Sequence, residues 1–240
     1  MTLETFLVIA LAVFVGATVQ SVVGIGIGLV AAPVVALLEP ALMPGTLIMV
    51  ALVLPAVTLV RDHGDIDWRG LAWSLPARMA GTGIGVWVVA TFTDRQLGIA
   101  IGVMVILMVL TTWLVFDVPV NRGTLSAAGF VGGVSGTATS IGGPPFALLY
   151  MRRSAQQIRT TMAVYFLIGA ALSLVGLLIA GDLTGTQLRA ALWLFPALLL
   201  GVVVGALSRR HLPASFVRPA VLVVSAASAL VLLVRSLIGG

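Results

Sequence analysis

Two apolar runs in this chain are each broken near their centre by glycine, small hydroxyl residues and proline, and the breaks fall at corresponding places in its two halves. The first reads Val19-Gln-Ser-Val-Val-Gly-Ile-Gly-Ile-Gly-Leu-Val-Ala-Ala-Pro33 and the second Gly132-Gly-Val-Ser-Gly-Thr-Ala-Thr-Ser-Ile-Gly-Gly-Pro-Pro145. A helix breaks at such clusters. In hydrocarbon, open backbone is tolerated only where it is buried in protein or lines a cavity. Paired breaks in two related halves therefore point to one binding site at mid-bilayer, where freed backbone groups meet a ligand.

The rest of the chain makes a membrane its setting. Its 240 residues are 60% apolar and 9% charged, against roughly 25% charged in soluble domains. Apolar runs of about 20 residues recur along the whole length, each enough to cross a bilayer. No polar stretch is long enough for a soluble domain. Cysteine is absent, which removes disulfides, thiolate metal sites and cysteine nucleophiles. The two histidines, His63 and His211, sit beside loop charges, so no metal site is expected. All 13 basic residues are arginines, scattered singly or in pairs between apolar runs. That is loop charge of the positive-inside kind and no basic stripe, so nucleic acid is not a partner. Met1-Thr-Leu-Glu-Thr carries no positive region ahead of the first apolar run, and no cleaved signal peptide is expected.

A shift of 120 residues lays Arg69 on Arg189, Trp73 on Trp193, Pro76 on Pro196, Gly81 on Gly201 and Gly85 on Gly205. The chain is thus one membrane transport domain over 1–240, built of two repeats, 1–120 and 121–240. Each repeat has a glycine-broken segment (about 5–38 and 124–151) followed by three spans, roughly 44–60, 71–90 and 96–116, then 160–180, 187–207 and 216–236. The first broken segment would be about 51 Å long as one helix, against a hydrocarbon core of about 30 Å. Either it enters and turns back at the glycines, or it crosses twice with one short arm. If both broken segments return to their side of entry, nine loop arginines share one side and Arg95, Arg189 and Arg235 the other. That bias makes the repeats inverted and the fold an all-α polytopic membrane protein. Gly81-x-x-x-Gly85 and Gly201-x-x-x-Gly205 are packing faces of the bundle.

Chemistry at the breaks follows from helix ends. The second arm of a broken helix begins with unpaired N–H groups and the positive end of its dipole, which together favour an anion. Candidate binding residues are Gln20, Ser21, Gly24, Gly26 and Gly28 in the first break, and Ser135, Gly136, Thr137, Ser140, Gly142 and Gly143 in the second. Arg78 joins them. It lies near the middle of its span, where a charge costs at least about 2.5–3.5 kcal/mol, and so should face a cavity or a partner. Arg159, at the mouth of its span beside Thr160 and Thr161, is a further candidate. The loop of Asp62, Asp65 and Asp67 reads as a solvated, hydrogen-bonded turn. No carboxylate sits at mid-span to relay protons. No nucleophile with a base, catalytic group or cofactor site is visible, so an enzyme is not expected.

Gln20-Ser-Val-Val-Gly-Ile-Gly-Ile-Gly with Pro33, the Gly-Asp-Ile-Asp-Trp-Arg loop at 64–69, and Gly129-Phe-Val-Gly-Gly-Val-Ser-Gly followed by Gly142-Gly-Pro-Pro resemble the TauE/SafE family of sulfite exporters, or TSUP permeases. The likeness runs over essentially the whole chain, although the glycines of the first motif alternate with isoleucine here. It implies a multi-pass inner-membrane permease for a small sulfur-containing anion such as sulfite, sulfoacetate or another organosulfonate. By motif match, segments 20–28 and 135–144 would carry the substrate. The expected mechanism is alternating access; an anion channel of the same architecture is the alternative. Its expected partners are that organic or inorganic sulfur oxyanion and the lipid bilayer, and nothing in the sequence indicates an oligomer.

Overall fold

The computed structural model describes residues 2–23, 26–113, 118–208 and 214–238. Among these there is no strand. The helices follow as α1 (Leu3–Val23), α2 (Ile27–Leu38), a 3-10 turn (Pro40–Leu42), α3 (Gly45–Ala51), α4 (Val53–Arg61), α5 (Trp68–Thr91), α6 (Asp94–Trp113), α7 (Arg122–Thr139), α8 (Pro144–Tyr150), α9 (Ala155–Ala180), α10 (Gly185–Ser208) and α11 (Ala214–Ile238). Helix starts are marked by polar caps. Asp67 accepts the Gly70 amide at 2.9 Å to open α5, and Ser154 accepts the Gln157 amide at 3.1 Å to open α9. Asn121 and Thr124 form a reciprocal box at the start of α7. Each cap satisfies an amide that has no acceptor inside its own helix.

Both broken segments are hairpins whose arms lie against each other. In the first, a methyl group added at Gly16 of α1 would stand 2.9 Å from the Ile27 Cα of α2. In the second, one added at Gly136 of α7 would stand 3.1 Å from the Gly142 Cα. The chain turns there through Ser140, in the left-handed conformation at φ 62°. Neither segment is a single straight helix, and both courses open in the sequence, re-entry at the glycines and a double crossing with one short arm, share this hairpin shape. The long arm is followed by a short return, 12 residues in α2 and 7 in α8.

The expected span at 44–60 is divided. Leu52 bonds Met49 in a tightened turn at 3.3 Å, and α4 begins at Val53. Pro55 explains the division: it has no N–H for the Ala51 carbonyl, so the helical ladder is interrupted there. The other spans appear as single helices, close to their expected limits.

Helix packing exchanges partners between the halves. Gly81 and Gly85 of α5 bring it onto α7, where added methyl groups would run into the Phe130 carbonyl and the Thr137 Cβ. Gly201 and Gly205 of α10 bring it onto α1 in the same way, against the Phe14 carbonyl and the Ser21 Cβ. The four glycines are contact points where only a hydrogen fits, as close packing in lipid requires.

One apolar core joins α1, α2, α3, α6, α10 and α11; a second gathers Phe146, Tyr150 and Tyr165 around α8 and α9. The periphery is apolar as well, with Trp193 71% and Ile179 82% exposed. Such a continuous apolar exterior suits lipid tails and not water. Among the described residues three helices are long and apolar enough to cross a membrane: Leu3–Val22, Ala155–Ala180 and Gly185–Ser208.

Candidate functional site

The tips of the two hairpins meet. A methyl group at Gly28, in the first turn of α2, would run into the Ser140 carbonyl at the turn of the second hairpin, and Ile141 Cγ1 lies 3.3 Å from the same point. Ser140 Oγ in turn donates to the Pro44 carbonyl at 3.1 Å, tying the second tip to the segment leaving the first. Beside this junction is a cavity of about 60 Å³. Gln20, Gly26, Gly28 and Leu29 line it from the first hairpin, and Gly136, Ser140, Gly142 and Gly143 from the second. Arg78 reaches it from α5, Phe166 and Ser173 from α9, and Ile48 and Ala51 from α3.

Arg78 gives the cavity its charge and is the one charged side chain among the described lining residues. It is 3% exposed, and its Nε and Nη1 have no hydrogen-bond partner among the described residues. Its guanidinium carbon lies 4.1 Å from the centre of the Tyr165 ring. Nη2 stands 3.3 and 3.4 Å from where methyl groups would project from Gly142 and Gly136, so the cation sits at the tip of the second hairpin. A buried cation with spare donors and no carboxylate is expensive, and an anion would relieve it.

The amides at the two tips are not equivalent. Gln20 Oε1 accepts the Ile27 N–H at 3.0 Å, so this side chain caps α2 from the preceding arm. Val30 is the first residue of α2 to reach back, to the Gly26 carbonyl at 3.0 Å. Gly28 and Leu29 therefore carry first-turn amides without an acceptor inside the helix, and both line the cavity. At the second tip, Pro144 and Pro145 occupy the first two helical positions and have no N–H to offer. The start of α8 therefore offers fewer amides than the start of α2. Positive potential on the second side comes from Arg78 and the glycine amides, with little from the start of α8.

Eight of the thirteen candidate residues, Gln20, Gly26, Gly28, Arg78, Gly136, Ser140, Gly142 and Gly143, are brought together around the cavity. Gly24 lies outside the described residues. Ser21 packs against Gly205 of α10, away from the lining. Ser135 is turned back into its own helix, donating to the Val131 carbonyl at 2.8 Å. Thr137 stands behind the wall, 2.7 Å from the Ser173 hydroxyl. Ser173 donates to the Gly169 carbonyl at 2.9 Å, so it is Thr137 that donates to Ser173. Arg159 is placed at the surface of the acidic loop, its Nη2 2.6 Å from Asp62 Oδ2. The loop itself is the hydrogen-bonded turn expected: Asp62 also accepts from Gln156 at 3.1 Å, and Asp65 from Ser154 at 3.0 Å.

The α9 wall was missed in the sequence. Phe166 and Ser173, one on each side of Gly169, belong to an apolar span with no break in it. A glycine and a serine four residues apart at mid-span were the available signal. Among the described residues no group of His, Asp and Glu could hold a metal ion.

The model of the family described as sulfite exporter TauE/SafE matches residues 8–232. Neither a curated protein nor a solved structure matches the chain. With a match over nearly its whole length, the chain belongs to the sulfite exporter TauE/SafE family, a family of membrane transporters.

Proposed function

We propose that this protein is a multi-pass permease of the inner membrane that moves a small sulfur oxyanion, sulfite in the first instance, by alternating access. The observation that carries this is Arg78: a buried guanidinium with spare donors, facing a cavity between two hairpin tips. The anion would sit between the first-turn amides of Gly28 and Leu29 on one side and Arg78 with Gly142 and Gly143 on the other. A cavity of about 60 Å³ has room for roughly four water-sized centres, the size of a compact oxyanion.

Rocking between two inverted repeats is supported by the exchange of packing partners. α5 of the first half lies on the hairpin of the second, and α10 of the second on the hairpin of the first. Each hairpin is thus carried by the opposite half, so a relative tilt of the halves opens the shared cavity towards one face or the other.

The test is sulfite flux in proteoliposomes. Wild type should give saturable flux and Arg78→Leu little or none, the leucine being the residue found at the equivalent position, Leu198. Normal flux in Arg78→Leu would refute the assignment. Unitary currents without saturation would make the protein a channel.

A further inference from the structure

Arg78 is held in a way that leaves its Nε and Nη1 donors without an acceptor among the described residues. A guanidinium carries five N–H donors in its own plane, and a carboxylate partner would both consume two of them and cancel the charge. Here the partner is an aromatic face: the guanidinium carbon lies 4.1 Å from the centroid of Tyr165. A ring face attracts the cation without accepting its in-plane N–H groups.

Tyr165 is itself immobilised. It stacks on Phe146 with centroids 4.0 Å apart and planes 6° from parallel, and its hydroxyl reaches the Ala128 carbonyl at 3.4 Å. One turn further along α9 is Gly169. The three nearest atoms to a methyl group added there are the Nε, Cζ and Nη2 of Arg78, all closer than atoms can approach. They belong to the far end of a flexible side chain and not to backbone. An alanine at 169 would therefore leave the helix in place and drive the guanidinium out of its slot.

Resting on the reading of Arg78 as the anion's partner, we propose that Tyr165 and Gly169 are positioning residues for transport. Neither lines the cavity. Tyr165 fixes the plane of the guanidinium, Gly169 provides the space it lies in, and together they hold its Nη2 at the tip of the second hairpin, beside Gly136 and Gly142 of the cavity wall.

The test pairs transport kinetics with a measurement that needs no substrate. In proteoliposomes, Tyr165→Leu and Gly169→Ala should raise the KM for sulfite by about tenfold or more with a smaller fall in kcat, the mark of lost binding orientation. Tyr165→Phe keeps the ring and should recover most of that loss. In an Arg78→Lys background, which keeps the charge but not the planar guanidinium, neither change should add a further defect to whatever flux remains, because both act through the guanidinium. The Nε–H resonance of Arg78, assigned in 15N-arginine-labelled protein by its loss in Arg78→Lys, should shift in Tyr165→Leu and Gly169→Ala and stay near its wild-type position in Tyr165→Phe. Unchanged KM values in both variants, or defects of equal size with and without Arg78, would overturn the proposal. Should wild type carry no sulfite, the transport assignment fails by itself. The resonance then decides the positioning: a shift in both variants upholds it, and no shift overturns it.

Discussion

Asp67 accepts the phenolic O–H of Tyr150 at 2.8 Å, a bond that ties the start of α5 to the exit of the second hairpin. The position 120 residues on is Gln187, whose Nε2 donates to the Ala41 and Met43 carbonyls at 3.2 and 3.0 Å, just past the exit of the first hairpin. A threonine accompanies each: Thr161 Oγ1 accepts the Asp67 amide at 3.0 Å, and Thr46 Oγ1 donates to the Gln187 carbonyl at 3.2 Å. The two halves grip each other's hairpins from the same place with opposite chemistry, an acceptor in one and a donor in the other.

Breaking either grip should loosen a hairpin without touching the cavity. Tyr150→Phe removes a hydrogen bond to a charged acceptor, worth about 1.5–3 kcal/mol. Gln187→Leu strands two carbonyls, at about 1–3 kcal/mol each if they stay dry. Thermal unfolding in detergent should show both variants melting well below wild type, with Gln187→Leu the lower. A Gln187→Leu protein as stable as wild type would mean that water reaches those carbonyls.

Gly81 and Gly201 make the same contact in opposite halves, each against a phenylalanine carbonyl of the facing hairpin. Alanine at either site must push backbone from backbone, an overpacking cost of about 1–3 kcal/mol. Gly81→Ala and Gly201→Ala should therefore destabilise to a similar extent. Gly83→Ala, which meets nothing within 4 Å, should be neutral or slightly stabilising through better helix propensity. Ranking the three by melting temperature checks the packing directly.

The Asp62–Arg159 pair supplies the pH dependence. The Arg159 hydrogen bond, and after it the one from Gln156, hold the Asp62 carboxyl below its ordinary value. A depressed folded value means the stabilisation is present above the unfolded value, about 3.9, and is lost as pH falls through the folded one. Asp62→Asn should melt below wild type at pH 7, and the gap should close as pH drops below about 4. Salt should narrow the gap at pH 7, because the pair is partly exposed. Arg159→Ala should leave the KM for sulfite within about twofold of wild type, since this arginine is engaged outside the cavity.

Periodicity and breaks revealed most of this architecture because lipid penalises open backbone so heavily. The glycines at 26, 28, 142 and 143 stood out within runs that should have been continuous, and they are at the cavity. Arg78 stood out for the same reason, as a charge in a place where charge is costly. Ser135 and Thr137 have the same residue types as Ser140 but lie on α7 before the turn, and side-chain direction within a helix is set by packing that composition does not display. Tyr165 left no local mark and Gly169 only its spacing to Ser173: an aromatic and a glycine are ordinary in a membrane helix, and only the fold sets them against Arg78. Pro55 was visible, yet its effect on Ala51 matters to the site only because the fold puts Ala51 at the cavity wall.

Gln20 separates stability from transport. Its Oε1 caps the Ile27 amide at 3.0 Å, and its side chain also lines the cavity that Arg78 enters. Glutamate in its place would keep the acceptor and add a negative charge at a helix N-terminus, an arrangement worth about 0.3–1 kcal/mol or more when partly buried. The same charge would occupy the positive cavity and compete with the incoming anion for Arg78. Gln20→Glu should therefore fold at least as stably as wild type while losing sulfite binding, whereas Gln20→Leu should lose about 1 kcal/mol of cap energy and retain some binding. Melting curves beside isothermal titration with sulfite distinguish the two variants. Undiminished binding in Gln20→Glu would place the anion elsewhere.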